Sequence, residues 1–160
     1  MIAYLRFIKA VLLHKWFVFV AGRRLKVPFW RLVTHDLSKL SPAEFRHYAR
    51  KFYGDGGDDR GFAEACWHHY FHNDHHWEYW VSRDPNERGI PTAGTLPMPE
   101  VCVREMVADW FAAGKVYSGQ WHDPFSFTWL EEHYERMQLH PETRVRLLIV
   151  LDEACQWEWN

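Results

Sequence analysis

Apolar residues recur at helical intervals along almost the whole chain. Ile2, Leu5, Ile8, Leu12 and Phe19 return every three or four positions through most of the first segment, and Gly22-Arg-Arg supplies a stop, which predicts an amphipathic helix with that face buried. His14 lies inside it. A short helix is predicted over residues 29–36, entered through Pro28 and ending on His35-Asp36. Ser41-Pro-Ala-Glu reads as the next helix start, with a serine N-cap, proline in the first position and an acid in the third. Phe45, Tyr48, Ala49 and Phe52 follow it. After the turn Gly54-Asp-Gly-Gly-Asp-Asp, a further helix runs from Gly61 through Phe62, Ala65, Cys66 and His69. Met98-Pro-Glu opens another, with Val103, Met106, Val107, Trp110 and Phe111 on its apolar side and Gly114 near its end, and two last helices are expected near 124–137 and 141–157. No segment alternates with period two between hairpin turns, so the expected fold class is all-α. Residues 82–99, with four prolines and two glycines, form the one long irregular segment, read as a surface loop with a lid as the alternative.

At 160 residues one domain, spanning 1–160, accounts for the length. Ten tryptophans and a high aromatic share predict a thick core of large rings. The net charge of −2 and the lack of a long basic run argue against duplex nucleic acid as partner. Cys66, Cys102 and Cys155 make no CxxC pair and are odd in number, which suggests thiols in a reducing cytoplasm. Arg6, Lys9, His14 and Lys15 break the first apolar stretch too early for a membrane span, leaving a buried helix, or less favourably a helix lying on a membrane surface.

Residues 68–76 read His-His-Tyr-Phe-His-Asn-Asp-His-His, so five of eleven histidines fall in nine positions. Crowded imidazoles gain nothing in packing that leucine would not supply, whereas imidazole and carboxylate are the ligands of divalent first-row metals. His69 and His76 share a face of an unbroken helix, and His75 joins them only if Asn73-Asp74 bends the chain. The tryptophans at 67, 77, 80 and 110 are expected to pack in the core. Glu105 stands one turn before Asp109, so one of the two is expected to ligate, Asp109 by preference, while the other orients a histidine. Glu44 has a sufficient reason in the first turn of a helix.

The string His35-Asp36-Leu-Ser-Lys39 resembles the signature of the HD-domain metal-dependent phosphohydrolase superfamily, and the remaining parts follow in that superfamily's order: His14 upstream, the histidine cluster, then Asp109 in Ala-Asp-Trp. More closely, LLHKWFVF, HDLSKLSPAEF, WHHYFHNDHHWEYW, MPEVCVREMVADW and LHPETR are similar to a family of small phage and bacterial proteins known only as a domain of unknown function, itself HD-like. The resemblance implies an HD-like helical bundle holding one or two divalent ions (Fe, Mn, Zn, Co or Mg). Its ligands would be His14, His35, Asp36, His69, His75 or His76, and Asp109, with Asp36 bridging. In that family's cluster His69, Asn73, His75 and His76 find counterparts, and His68 and His72 are additions. Lys39 and Arg144 are nominated with Asp36 as the catalytic set, offsetting phosphate charge. The activity implied is hydrolysis of a phosphate ester or anhydride in a nucleotide or other small phosphorylated metabolite. Two alternatives use the same frame: an HD-type di-iron oxygenase, and a non-catalytic module that binds metal or nucleotide.

Overall fold

Helix α1 (Ile2–Arg24) runs along two apolar clusters, and its buried stripe decides where the chemistry sits. The computed structural model describes residues 2–81, 94–121 and 128–156. In α1 Phe7, Val11, Val18 and Ala21 are buried along one line, spaced by four, seven and three, with Gly22 buried beside the last, and His14 fills the gap on that same line. Phe7 and Val11 belong to the smaller cluster with Tyr48, Ala49 and Ala65; Val18 and Ala21 belong to the main core. His14 therefore stands at the junction of the two. The face expected to be buried is exposed instead: Ile2, Leu5 and Leu12 show 67%, 63% and 60% of their surface. The helix is apolar around most of its circumference, so periodicity allowed two faces, and packing against α5 and α3 selected the one that carries His14.

After α1 come α2 (Phe29–Thr34), a 3-10 turn (Leu37–Leu40), α3 (Phe45–Tyr53), α4 (Asp59–His72) and a second 3-10 turn (Trp77–Trp80). The chain is completed by α5 (Glu100–Ser118), α6 (Thr128–Tyr134) and α7 (Pro141–Cys155). Among the described residues no strand forms, only an isolated bridge between Val81 and Thr95, and the fold is all-α. Helix α5 is buried on nearly every side from Cys102 to Ala112 because α1 packs on one flank and α7 on another. Two charged residues inside it are fully engaged: Arg104 pairs with Glu153 of α7 at 2.8 Å, and Glu105 turns toward α2. At Gly22 a side chain would overlap Leu32, so the missing Cβ lets α2 close on α1.

Several boundaries depart from expectation. Helix α3 starts at Phe45, not Ser41; residues 41–44 form a turn closed by Phe45 N–H to the Ser41 carbonyl at 2.9 Å, and the buried Ser41 hydroxyl caps nothing. The acid four residues before Tyr48 is drawn inward, as described below. Helix α4 is capped by Asp58, whose carboxylate accepts from Gly61 N–H at 2.5 Å. Trp67 is exposed, while Trp77, Trp80 and Trp110 pack on the core as expected. Gly114 lies within α5, which ends at Gly119 in the left-handed region. Most of the expected 82–99 loop, the start of the helix expected from 124 and the last residues of the chain lie outside the described residues. No described helix is long and apolar enough to cross a membrane, and the three cysteines form no disulfide.

Candidate metal centre

Asp36 is the centre of the constellation, and its backbone explains how. It occupies the left-handed region at φ 56°, ψ 23°, which aspartate tolerates better than most residues. That reversal ends α2 and lets adjacent side chains, His35 and Asp36, converge. Asp36 is 1% exposed, and its two oxygens face two different groups of imidazoles. Oδ2 lies 3.7 Å from His14 Nε2 and 3.5 Å from His35 Nε2; Asp109 Oδ1 is 2.8 Å from the former and 3.4 Å from the latter. Oδ1 lies 3.5 Å from His69 Nε2 and 3.4 Å from His75 Nε2, with His76 Nε2 a further 2.9 Å from His69 Nε2.

These atoms converge without satisfying one another. His14 Nε2, His35 Nε2, His75 Nε2 and Asp36 Oδ1 are buried and make no well-directed hydrogen bond, even His14 Nε2 at 2.8 Å from Asp109 Oδ1, although buried polar atoms are nearly always paired. The four ligand atoms of His14, His35, Asp36 and Asp109 fall within 4.8 Å of one another, as do those of Asp36, His75 and His76. The carboxylate-to-imidazole separations in the first group, 2.8–3.7 Å, lie within the roughly 4 Å that opposite ligands of one ion span with bonds of ~2.1 Å. The donor set fits a divalent cation at each oxygen of Asp36.

In three of these rings, His35, His69 and His75, the opposite nitrogen faces a carboxylate. His35 Nδ1 donates to Glu105 Oε1 at 2.9 Å, His75 Nδ1 lies 3.4 Å from the same oxygen, and Arg31 Nε donates to Glu105 Oε2 at 2.5 Å. Arg31 also forks onto Asp74. His69 Nδ1 meets Glu44 Oε2 at 3.0 Å, and His68 Nδ1 meets Glu44 Oε1 at 2.7 Å. Fixing Nδ1–H in this way directs Nε2 toward Asp36, so that the ring, once Nε2 has given up any proton, is the tautomer a metal needs. The bend after α4, at Asn73, brings His75 and His76 back beside His69, and Asn73 Nδ2 secures it by donating to the His69 carbonyl at 2.7 Å and Ser38 Oγ at 2.8 Å.

Charge within the cluster is balanced by proximity. Burial would raise the Asp36 carboxyl, but the charges of His35 and Lys39 outweigh it and hold the group well below the usual carboxylate range. Burial likewise works against protonating His35, yet Asp36, Asp109 and Glu105 push it up to about 10. His14 moves the other way, lowered chiefly by burial. Lys39 Nζ donates to Asp36 Oδ2 at 2.5 Å, and that carboxylate raises its pKa against the cost of burial. Nearby, the Glu78 carboxyl is raised by burial, and its Oε2 makes no hydrogen bond.

Of the residues singled out from sequence, His14, His35, Asp36, Lys39, His69, His75, His76 and Asp109 come together. Arg144 does not. It lies in α7, its guanidinium 4.9 Å over the Tyr134 ring and donating to the Met137 carbonyl at 2.9 Å, so it anchors the chain before α7 instead of clamping an anion. Sequence reasoning passed over Arg31 and Ser38 and treated Glu44 as a helix-start acid. Arg31 could have been found from its position one turn before His35; nothing in the sequence marks Glu44 as an inward-facing acid.

A family model, that of DUF5662, described only as a family of unknown function, matches residues 3–153. The chain belongs to this family. Every residue of the cluster in this DUF5662 member, from His14 to Asp109, lies within the matched stretch, as does Arg144. No curated protein and no solved structure matched the chain.

Proposed function

We propose that this protein is a metal-dependent phosphohydrolase of the HD-like kind, acting on a small phosphorylated molecule at a His/Asp centre. The observation that carries the reading is the Asp36 carboxylate, buried and ionised, with unpartnered Nε2 atoms on both of its oxygens. When bound, divalent ions there supply positive charge for a phosphoryl oxygen and a water acidified toward neutral pH. In the overall reaction the water oxygen bonds to phosphorus as the ester P–O bond breaks, and the leaving oxygen takes up a proton. Asp36 would hold ligands for both positions at once; His14, His35 and Asp109 would complete one and His69, His75 and His76 the other. Glu105 and Glu44 keep the rings turned so that Nε2 faces inward. Lys39 offers the centre an ammonium group, 2.5 Å from Asp36, to offset phosphoryl charge. The chain's thiols and the lack of a described spanning helix fit a soluble protein of a reducing compartment.

The experiment is elemental analysis of purified protein beside an Asp36→Ala variant, followed by phosphate release from a panel of phosphate esters without oxygen. Metal present in the parent and lost from the variant, with hydrolysis supported anaerobically by manganese, cobalt or magnesium, is the expected result. Metal content unchanged by Asp36→Ala overturns the centre. Activity that demands both iron and oxygen replaces hydrolysis with the di-iron oxygenase reading, and tight metal with no turnover of any kind replaces it with a binding module.

A further inference from the structure

Beside the centre, a cavity of about 430 Å³ opens between α1, α3 and α5, and its chemistry is polarised. Phe7 and Val11 of α1, Tyr48 and Phe52 of α3 and Val116 of α5 make its walls. The rings brace one another: Phe7 stacks on Tyr48 with centroids 6.1 Å apart, and Tyr48 on Phe52 at 6.0 Å. The Tyr48 hydroxyl is already used, donating to Cys66 Sγ at 3.6 Å, so it offers the cavity its ring. Charge is confined to His14, Lys39 and Asp109, the residues the cavity shares with the metal centre. Lys39 is the one cationic side chain in the described lining, and no arginine joins it.

We infer that this cavity is the substrate pocket and that it takes a compact molecule with one anionic head and an apolar, ring-bearing tail, an aryl or similarly apolar phosphomonoester in place of a nucleoside polyphosphate. The inference rests on the hydrolase reading for the word phosphomonoester and on the cavity for the rest. The volume suits one ring and its substituents, within the range of small-ligand sites. A tail of that kind covers the faces of Phe7, Tyr48 and Phe52 and removes apolar surface from water, while the head reaches Lys39 and the cluster. A polyphosphate tail would instead bring several charges against walls whose remaining polar groups are the Tyr53 and Tyr117 phenols, with no cationic side chain beside Lys39 in the described lining to neutralise them, at a desolvation cost that an apolar tail does not incur. Phe52 and Tyr117 are exposed, which puts the mouth at their end and the head at the buried one.

The test is calorimetric binding of phenylphosphonate and methylphosphonate, neither of which can be hydrolysed as an ester, to the metal-loaded full chain. Phenylphosphonate is expected to bind about tenfold more tightly or better, the gain from burying a ring. Ala113→Trp and Val116→Trp, each adding bulk to the α5 wall, are expected to remove that preference by weakening phenylphosphonate binding. Equal affinity for the two ligands in the parent protein overturns the inference, as does failure to bind either. A phenyl preference that survives in both folded variants also overturns it, because the ring then sits elsewhere. Release of phosphate from phenyl phosphate is measured in parallel and reports on the hydrolase reading alone; a preference for the phenyl ligand without turnover upholds the pocket and removes the reaction.

Discussion

Asp36 combines a left-handed backbone, full burial and ionisation, three features that each cost free energy and that persist together only where the surroundings impose them. The imposing groups are the imidazoles and Lys39, and the carboxylates behind the imidazoles. Glu105 touches Nδ1 of two rings, so Glu105→Gln keeps the shape but weakens the hold on both tautomers; metal affinity should fall by about 10- to 100-fold, read by competition with a chromophoric chelator. His35 carries a pH signature. Its pKa in the folded, metal-free chain is raised from 6.5 to about 10, so the stability it contributes is complete below pH 6.5 and is lost as pH rises through about 10. Urea denaturation of metal-stripped protein should therefore show stability falling from neutral toward alkaline pH, with the slope reduced in His35→Gln. Metal binding needs the same nitrogen unprotonated, so calorimetry near pH 7 in buffers of different ionisation enthalpy should detect proton release on metal uptake.

The helices matter through how closely they approach. Helix α1 contributes His14, and α2 delivers His35-Asp36; the two meet where Gly22 faces Leu32. Leu32 is 2% exposed and has little room to give way. Gly22→Ala should cost about 1–3 kcal/mol of stability, the usual penalty for overpacking, and should also reduce metal affinity, since α2 moves His35 when it moves. Chemical denaturation and the chelator competition check the two halves separately. Helix α4 contributes by ending: if it continued past His72, His75 would leave the face of His69, and the second set of imidazoles would not close around Asp36 Oδ1.

The cluster ties α1, the end of α2, the region after α4 and α5 around one point, where the two apolar clusters of the core meet. A cation bound there stabilises only the folded chain, by about 2.7 kcal/mol when its concentration is a hundred times the dissociation constant. Chelation should accordingly lower the Tm of the parent protein by several degrees and leave Asp36→Ala unmoved, as differential scanning calorimetry can record. A parent Tm indifferent to chelator would mean that the four segments are held by apolar packing alone.

Much of this was readable in one dimension. Helical periodicity is a local property, and it was enough for an all-α chain and for most elements; imidazole and carboxylate are ligands wherever they sit, and the resemblance of their order to the HD-domain pattern pointed to His14, His35, Asp36, His69, His75 or His76, and Asp109 before any geometry. Contacts between distant segments carry no such local mark. Which apolar face of α1 turned inward, that Glu44 backs His68 and His69, and that Arg144 stays with Tyr134 were settled when α1, α3, α5 and α7 packed, because a side chain's partner is set by the total burial and pairing of the assembled helices, a sum no single stretch contains.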